Sequence, residues 1–259
     1  MDAVIITCAR RGTASRCIPS IVEAGVCLKA VIVAHGAGTN ASRAFFRKIR
    51  KVLKIGILGA VIGVRMRRWF ESPTEDVEAL CLRYGVPFKT IEGLNSVEME
   101  AYLKQLNPTI GVSLGNGYIA PRIFSIPKLG MINLHTEVLP AYQNARAIIW
   151  PIYKNDPYTG YTIHEIERGI DEGRILLQRR YPIKFARSLS ETVKITKAIT
   201  DESFPKDVAN VIANIREMKN NAQKQDVGGK YTTPTFWQYL RMVINNRRFY
   251  RIQEQKGML

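Results

Sequence analysis

The stretch DAVIITCARRGTAS at residues 2–15 and the run LKAVIVAH at residues 28–35 decide the fold. The first stretch begins with an apolar run, DAVIITC, which predicts a buried strand, and it continues into a polar loop. A helical segment then leads to the second apolar run, which predicts another buried strand. Strand, loop, helix and strand in this order are typical of a parallel α/β sheet.

Further apolar runs continue this pattern along the chain. The predicted strands are VPFKTIE (86–92), TIGVSLG (109–115), MINLH (131–135), TGYTIHEIE (159–167) and RILLQRRYPI (174–183), with a helix, NSVEMEAYLKQL (95–106), between the first two. We therefore expect an α/β fold, with a Rossmann-like, mostly parallel twisted sheet and flanking helices.

The last quarter of the chain has a different character. Residues 189–218 predict a helix that is interrupted near Pro205, because proline removes a backbone hydrogen bond. The tail from Gly228, GGKYTTPTFWQYLRMVINNRRFYRI, is basic and aromatic and predicts a small C-terminal appendage. We expect residues 1–185 to form the main domain, and residues 186–259 to form a C-terminal helix with a small basic and aromatic extension.

The charge of the chain points to an anionic partner. The 259 residues include 38 Lys and Arg against 22 Asp and Glu, a net charge of +16. This excess favours a nucleotide, a nucleic acid or an anionic membrane surface, without choosing among them. Nine basic residues and no acidic residue lie between Arg43 and Phe70. This run predicts either a basic amphipathic helix on anionic lipid or a partly buried helix whose basic ends face water or a phosphate-bearing ligand.

The cysteines and the hydropathy indicate the compartment. Cys8, Cys17, Cys27 and Cys81 show no zinc-binding spacing and predict reduced, mostly buried thiols. The apolar runs are shorter than the roughly 18 residues that a membrane-spanning helix needs. With no signal peptide at Met1, we expect a cytoplasmic protein, and the basic run leaves open a position at the inner face of the membrane.

The strongest candidate site begins in GMINLHTEVLP at residues 130–140. Asn133 and His135 lie two positions apart, so a strand presents them on the same face. A turn at Pro140 places them at a sheet edge, where the carboxyl ends of parallel strands bind ligands. Asp171 follows in a glycine-flanked loop, and a carboxylate there can orient the imidazole and stabilise its charged form.

Two motifs in this region resemble those of the formyltransferase family, whose members act on glycinamide ribonucleotide, methionyl-tRNA and nucleotide-linked amino sugars. They are NLH with LP four and five positions after the histidine, and TIHEIERGIDEGRIL at residues 162–176. The resemblance implies that residues 1–185 are the catalytic domain, with Asn133, His135 and Asp171 as the catalytic trio. The residues that it implies for the folate cleft are Gly117, Tyr118, Ile119, Ala120, Arg168, Gly169 and Ile170. It further implies 10-formyltetrahydrofolate as the donor and a primary amine as the acceptor, with no metal ion.

The residue types suit this chemistry on their own. An amine that attacks a formyl carbon creates an oxyanion and a positively charged nitrogen. Asn133 and a protonated His135 can donate hydrogen bonds to the oxyanion. Asp171 can accept the proton of the nitrogen, directly or through one water, while it holds His135. The sequence shows no cluster of metal ligands.

Two positions depart from the family's pattern. Glu137 stands where the family usually has a small residue, and we expect it either to pair with a nearby arginine or to contact the acceptor amine. Asn144 stands where the family usually has a glycine, which predicts a reshaped acceptor loop.

The expected acceptor is a nucleotide-linked amino sugar, such as the 4-amino-4,6-dideoxy sugar of GDP-perosamine or a dTDP-linked analogue, in the biosynthesis of O-antigen or other surface polysaccharide. Fewer residues follow Pro182 than a methionyl-tRNA enzyme usually has, and the chain begins at the first strand, unlike the formyltetrahydrofolate hydrolases. The residues that we expect to bind the acceptor are Arg10, Arg11, Thr13, Glu137 and Tyr142. The two arginines suit a phosphate, although a solvated loop is an equal interpretation. Methionyl-tRNA and other amines stay open as acceptors.

Partners of other kinds complete the expectations. A homodimer and peripheral contact with anionic membrane are candidates, and no nucleic acid is expected beyond the nucleotide of the acceptor. Two other classes of protein stay open: a basic nucleic-acid-binding protein or a membrane-surface protein, each on an inactive formyltransferase scaffold. The high charge and the aromatic tail favour the nucleic-acid-binding class, and the intact catalytic trio argues against it.

Overall fold

The computed structural model describes residues 1–35, 41–71 and 73–255. Its strands are β1 (Asp2–Thr7), β2 (Cys27–His35), β3 (Phe88–Glu92), β4 (Ile110–Ser113), β5 (Met131–His135), β6 (Tyr158–Glu165) and β7 (Ile175–Pro182). Within the described residues they form a seven-stranded sheet in the order β3-β2-β1-β4-β5-β6-β7. The neighbouring strands β3, β2, β1, β4 and β5 run parallel to one another, whereas β6 runs antiparallel to both β5 and β7. This confirms the predicted mostly parallel sheet.

Helices flank the sheet, as the sequence pattern predicts. Their bounds are α1 (Thr13–Glu23), α2 (Ala41–Arg67), α3 (Val77–Tyr84), α4 (Val97–Leu106), α5 (Pro121–Phe124), α6 (Ile149–Lys154), α7 (Leu189–Ala213), α8 (Ile215–Asn220) and α9 (Phe236–Gln255).

The strand β1 shows why the sheet is buried on both faces. Ala3 and Ile5 pack with residues of α1, α3 and α7, whereas the intervening Val4 and Ile6 pack with residues of α4 and α5. Successive side chains of a strand point to opposite faces, so a continuous apolar run serves two cores at once. This is the physical basis of the run DAVIITC with which the chain begins.

The antiparallel return of β6 positions the site. In the register of β5 and β6, Asn133 lies opposite His164 and His135 lies opposite Thr162. Side chains of directly opposite residues lie on the same face, so His164 joins Asn133 and His135 on one face of the sheet.

Two details of the sequence prediction need correction. The helix α7 continues through Pro205, and the break falls at Asn214, between α7 and α8. Pro205 is buried in the packed helix, and tertiary packing there outweighs the lost backbone hydrogen bond. Of the cysteines, Cys17 and Cys81 are buried, but Cys8 and Cys27 are exposed free thiols.

The tail packs against the rest of the chain. Most of it is the twenty-residue helix α9, and Met242 of α9 is buried in a hydrophobic cluster with Met66 of α2 and Trp150 of α6. The domain division at residue 185 stays a prediction.

The basic run falls mainly in α2, which has a kink at Gly56 (φ 75°, ψ 164°). After the kink, Gly59, Gly63 and Met66 are buried on one side of the helix. A Cβ atom on Gly63 would lie 2.6 Å from Cγ2 of Thr233, so glycine allows α2 to approach the tail closely. The side chains of the basic residues at 43, 47, 48 and 51 lie outside the described part of the structure. None of the helices in the described ranges is both long enough and apolar enough to cross a membrane.

Candidate active site

A cavity of about 480 Å³ lies at the carboxyl ends of the parallel strands. The strands β1 and β4 are neighbours, with β2 and β3 added beside β1 and with β5, β6 and β7 added beside β4. Open α/β sheets bind ligands at the point where the strand order reverses in this way. The cavity is lined by side chains at the ends of β5 and β6 together with residues 115–119, 169–171, 144–146 and 232–233.

The cavity brings together all three members of the predicted trio, Asn133, His135 and Asp171, and adds His164. His135 and His164 are buried, and only 12% of the Asp171 side chain is exposed. His164 was not among the residues predicted to be catalytic, although it lies within the TIHEIE motif. The signal that could have identified it is the antiparallel register, which cannot be read from strand patterns alone.

His135 is held between two hydrogen-bond acceptors. Its Nε2 lies 2.8 Å from the carbonyl oxygen of Tyr142 and therefore donates a hydrogen bond, while Nδ1 lies 3.5 Å from Oδ2 of Asp171. Burial lowers the pKa of His135 from its usual 6.5, and the opposing effect of Asp171 is smaller. The resting imidazole is therefore neutral at pH 7, with its lone pair on Nδ1. The protonated His135 expected from the sequence is not the resting form, because the ring is desolvated.

Asp171 remains a carboxylate at neutral pH. Burial alone would raise its pKa, but His164, the charge of His135 and the backbone amide of Asn144 lower it to about 2. The Asn144 amide donates to Oδ2 over 2.8 Å, and His164 Nε2 lies 3.6 Å from Oδ1. A group with so low a pKa is a poor proton acceptor but a good stabiliser of a positive charge beside it.

Local backbone geometry presents Asp171 to the cavity. Its φ of 56° lies in the left-handed region, which aspartate tolerates better than most residues. A Cβ atom on the following Gly173 would lie 1.9 Å from the carbonyl oxygen of Glu165, so only glycine fits there. The glycine flank noted in the sequence thus lets this loop close against the end of β6.

His164 orients the amide of Asn133. Its Nδ1 donates to the Glu165 carbonyl oxygen over 2.8 Å, which leaves Nε2 to accept from Asn133 Nδ2 over 3.2 Å in the neutral tautomer. An amide nitrogen carries two hydrogens. The second hydrogen of Asn133 can therefore be donated to a group bound in the cavity.

Asn144 supplies the backbone conformation for which the family usually has a glycine. Its φ is 51°, and asparagine is among the residues that adopt this region most readily. Besides the bond from its backbone amide to Asp171, its Nδ2 donates to the Tyr231 carbonyl oxygen over 3.0 Å. Asn144 thereby links the loop that contains Asp171 to the part of the tail that contains Tyr231, Thr232 and Thr233, which we call the C-terminal segment.

Glu137 does not line the cavity. It is fully buried, accepts from the backbone amide of Ile148, and accepts from Thr159 Oγ1 over 2.8 Å. The arginine partner expected for it is not found within the described residues. Burial raises its pKa to about 8. The structure thus places Glu137 as a support of residues 138–148, because its carboxyl oxygens accept hydrogen bonds from the two ends of that segment.

Most other residues predicted to bind the acceptor also face away from the cavity. Arg10 pairs with Asp76 and Glu78 at the surface, and Arg11 donates to the Thr74 carbonyl oxygen over 3.1 Å. Thr13 does line the cavity.

The side chain of Tyr142 is buried, and its hydroxyl donates to Asp156 over 3.1 Å. Only its backbone carbonyl takes part in the site, through His135. The contribution of Tyr142 to the site is therefore made by its backbone.

The residues predicted for the folate cleft divide into two groups. Gly117, Tyr118, Ile119, Gly169 and Ile170 line the cavity, whereas Ala120 and Arg168 do not. Asn95 fixes this wall, because its Nδ2 donates to the Tyr118 carbonyl oxygen and its Oδ1 accepts from the Ala120 amide.

Asn116 is a lining residue that the sequence analysis missed. Its Nδ2 donates to the Ile6 carbonyl oxygen over 2.6 Å and to Ser113 Oγ over 3.0 Å. Its buried Oδ1 has no hydrogen-bond partner within the described residues. Such an oxygen fits an N–H group of a bound ligand, since buried polar atoms are normally paired. Across the described ranges, no three His, Cys, Asp or Glu side chains are grouped as a metal ion would require.

Solved structures of similar fold include two N-formyltransferases. A sugar N-formyltransferase from a Shewanella species has a TM-score of 0.56 and 14% identity, over 95% of this chain and 87% of that chain. An N-formyltransferase from Helicobacter canadensis, solved with folinic acid and dTDP-3-aminofucose, has a TM-score of 0.51 and 18% identity, over 97% of this chain and 82% of that chain. At these identities the likeness is one of fold.

Sequence comparison goes further than the fold. A methionyl-tRNA formyltransferase from Thermodesulfovibrio yellowstonii is 35% identical over 127 residues, which are 48% of this chain and 41% of that protein. This chain spans less than half the length of the curated relatives that it matches. The model of the formyl transferase family matches residues 63–220, more than half of the chain and all of the residues that form the buried cluster. The chain belongs to the formyl transferase family.

Proposed function

We propose that the chain is an N-formyltransferase that moves a formyl group from 10-formyltetrahydrofolate to the amine of a nucleotide-linked amino sugar. The observation that carries this proposal is the buried cluster of Asn133, His135, His164 and Asp171 in one cavity. A neutral imidazole, a stable carboxylate and a free amide hydrogen are the groups that formyl transfer to an amine requires.

His135 carries the proton from the acceptor amine to the donor nitrogen in this mechanism. The acceptor nitrogen forms a bond to the formyl carbon, and the bond from that carbon to the donor nitrogen breaks. The amine loses one proton, and the donor nitrogen gains one. Neutral His135 accepts the first proton on Nδ1, where the resulting imidazolium is stabilised by Asp171 and by the Tyr142 carbonyl, and it can return a proton to the leaving nitrogen.

Asn133 stabilises the oxyanion of the tetrahedral intermediate. One hydrogen of its amide is directed to His164, and the other is free for the cavity. A fixed donor of this kind contributes roughly 3 kcal/mol to the stabilisation of a transition state. Imidazolium at His135 adds a positive charge beside the oxyanion as the proton is transferred.

The donor fits the wall that contains residues 115–119. The exposed rings and aliphatic groups of Tyr118 and Ile170 offer apolar surface at the cavity, and the unpaired Oδ1 of Asn116 offers an acceptor for an N–H group. The complex of the Helicobacter canadensis protein with folinic acid supports a folate at this fold. The family to which the chain belongs supports the same donor.

The acceptor is the finer part of the proposal. The two solved proteins named above match almost the whole chain, and one was solved with a nucleotide-linked amino sugar. This supports an amino-sugar acceptor. The use of the product for surface polysaccharide is the part of the proposal that follows from the acceptor. The curated relatives are named methionyl-tRNA formyltransferase, and methionyl-tRNA is therefore the competing acceptor.

An acceptor panel tests the proposal. Purified protein with 10-formyltetrahydrofolate is given dTDP-, GDP- and UDP-linked amino sugars, methionyl-tRNA or no amine, and the release of tetrahydrofolate is followed. We expect release with at least one amino-sugar nucleotide and none without an amine. Release with methionyl-tRNA alone would replace the acceptor, and no release with any amine would refute the function.

A second part of the proposal concerns the exposed face of α2. We define the α2 stripe as Ile57, Leu58, Val61 and Val64, whose exposure ranges from 60% to 75%. Exposed basic residues, Lys54, Arg65, Arg67 and Arg68, flank it. Apolar surface edged with Lys and Arg fits the interface of an anionic membrane. A second copy of the chain is the competing occupant of this face.

A further inference from the structure

Arg146 is a cation of the cavity lining for which the described residues provide no acidic partner. It is half-buried and lines the cavity, two residues after Asn144. Lys230, by comparison, pairs with Glu172 at the surface. Within the described residues, no carboxylate lies within 4.0 Å of the Arg146 guanidinium.

The hydrogen-bonding capacity of Arg146 is largely unused. A guanidinium carries five N–H donors. Among the described residues, the only acceptor found for them is the Gly63 carbonyl oxygen, at 3.4 Å from Nη1. The remaining contact is with the ring of Phe70, whose centroid lies 5.9 Å from Cζ. A half-buried guanidinium with free donors is a binding group for an anion.

The surroundings of Arg146 make this end of the cavity electropositive. Burial lowers the pKa of Arg146, and the nearby positive charge of Arg67 lowers it further. Thr232 and Thr233 line the cavity beside residues 144–146. Among the described residues, no carboxylate lies within 4.0 Å of either guanidinium. Two such cations, together with threonine hydroxyl groups, favour an anion with more than one negative charge.

The backbone around Arg146 is fixed by hydrogen bonds. Trp150 Nε1 donates to the Thr232 carbonyl oxygen over 3.1 Å, and the Tyr231 amide donates to the Gln143 carbonyl oxygen over 3.0 Å. With the bond from Asn144 Nδ2 to the Tyr231 carbonyl, the C-terminal segment is attached to the loop on both sides of Arg146. Binding therefore requires little ordering of the backbone.

We infer that Arg146, with Arg67 and the hydroxyl groups of Thr232 and Thr233, forms a subsite for the diphosphate group of a nucleotide-linked acceptor. The inference rests on the proposed function in assigning the anion to the acceptor. It places the phosphoryl groups at the loop of residues 144–146 and the C-terminal segment. The arginines after β1, which the sequence suggested for this role, are engaged elsewhere.

Binding without catalysis tests the subsite. Isothermal titration measures the affinity of wild type, Arg146→Gln, Arg146→Lys and Arg216→Gln for inorganic pyrophosphate and for dTDP, GDP and UDP. Arg216 is exposed on α8 and lies outside the cavity lining, so its variant controls for loss of one charge. We expect Arg146→Gln to weaken binding of at least one nucleoside diphosphate roughly 10- to 100-fold. Arg146→Lys should retain part of the affinity, because lysine keeps the charge but not the bidentate geometry.

Three results would overturn the subsite. They are wild-type affinity in Arg146→Gln, an equal loss in Arg216→Gln, and failure of wild type to bind either pyrophosphate or any of the nucleotides. A thermal unfolding midpoint of Arg146→Gln equal to that of wild type excludes misfolding as the cause of a loss. If Arg146→Lys restores most of the lost affinity, a specific binding role is supported even where Arg146→Gln is less stable.

A kinetic measurement separates this inference from the proposed function. With an amino-sugar nucleotide as acceptor, Arg146→Gln should raise KM for the acceptor with little change in kcat, since the guanidinium holds a part of the substrate that does not react. Unchanged KM would refute the subsite while the transferase stands. If no amine is formylated but nucleoside diphosphates bind through Arg146, the proposed function is refuted and the subsite stands. Methionyl-tRNA could also prove to be the only acceptor. If Arg146→Gln and Arg216→Gln then change KM for methionyl-tRNA equally, the subsite is refuted.

Discussion

Nδ1 of His135 lies 3.5 Å from Oδ2 of Asp171, while Nε2 of the same ring donates to the Tyr142 carbonyl oxygen. Both neighbours are hydrogen-bond acceptors, and yet burial keeps the resting imidazole neutral. The pair is therefore arranged for a charged histidine that exists only during the reaction. This relationship supports the proposed roles of His135 as the proton acceptor and of Asp171 as the group that stabilises the imidazolium.

Replacement of Asp171 by asparagine tests this division of roles. Asp171→Asn keeps the size of the side chain but removes the charge that stabilises the imidazolium. We expect kcat to fall by roughly 10²- to 10⁴-fold, the usual contribution of acid–base catalysis. Steady-state rates of formyl transfer measure this loss. Asp226→Asn, at an exposed position outside the cavity lining, is the matched control and should keep the wild-type rate.

The pH profile of kcat/KM tests the charge state of His135. Its pKa is lowered from 6.5 by burial, so the rate should fall on the acid side with an apparent pKa below 6.5. The negative charge of Asp171 raises the pKa of His135, and its removal must lower that pKa. The acid limb of Asp171→Asn should therefore lie at lower pH than that of wild type. A shift to higher pH would contradict the assignment, and the C2 proton of His135 in NMR spectra gives an independent titration.

Asp171 also contributes to stability over a defined range of pH. Its pKa in the folded protein, about 2, is below the unfolded value of 3.8. A lowered pKa stabilises the fold above the unfolded value, by about 2 kcal/mol here, and this contribution is lost as the pH falls from about 4 to about 2. Urea unfolding should show that wild type loses more stability over this acid range than Asp171→Asn does. A difference that does not narrow between about pH 5 and pH 3 would contradict this account.

Glu137 should give the opposite dependence on pH. Its pKa of about 8 in the folded protein exceeds the unfolded value of 4.5. A raised pKa means that its contribution to stability is fully present below 4.5 and is lost as the pH rises towards 8. The free energy of unfolding of wild type should decline over this range relative to that of Glu137→Gln. If the free energies of unfolding of wild type and Glu137→Gln change equally with pH, ionisation of Glu137 does not destabilise the fold and the prediction is contradicted.

The α2 stripe predicts binding to anionic lipid. We expect the wild-type protein to sediment with vesicles that contain phosphatidylserine, and Ile57→Ser with Val61→Ser to abolish this. Leu82→Ser with Val97→Ser changes two equally exposed aliphatic residues elsewhere and should bind as wild type does. If the double variant Ile57→Ser with Val61→Ser instead has a lower mass than wild type in analytical ultracentrifugation, a second copy of the chain covers this face.

Much of the fold could be predicted from the sequence, because continuous apolar runs bounded by polar loops identify strands buried on both faces. Each strand was located to within about two residues at either end. The helix α7 was not predicted to continue through Pro205, since a local rule for proline takes no account of packing around it. The packing of the tail could not be predicted, because its aromatic and basic composition does not reveal that Met242 is buried against α2 and α6.

The candidate site could be predicted where it depends on motif residues, and not where it depends on partners distant in sequence. Asn133, His135 and Asp171 lie together in the cavity as the motifs indicate. His164 was missed because its place follows from antiparallel pairing with β5. Arg10 was given a ligand role because its partner Asp76, sixty-six residues away, cannot be recognised from the sequence.

The most direct test of the central claim is to trace the formyl group. Wild-type protein is incubated with 10-formyltetrahydrofolate labelled with ¹³C in its formyl group and with the amino-sugar nucleotides of the acceptor panel, and the products are analysed by mass spectrometry and NMR. The account predicts the label as an amide on the sugar nitrogen, with its appearance nearly abolished in His135→Ala. Label that appears only as free formate, or transfer at the wild-type rate by His135→Ala, would contradict the account.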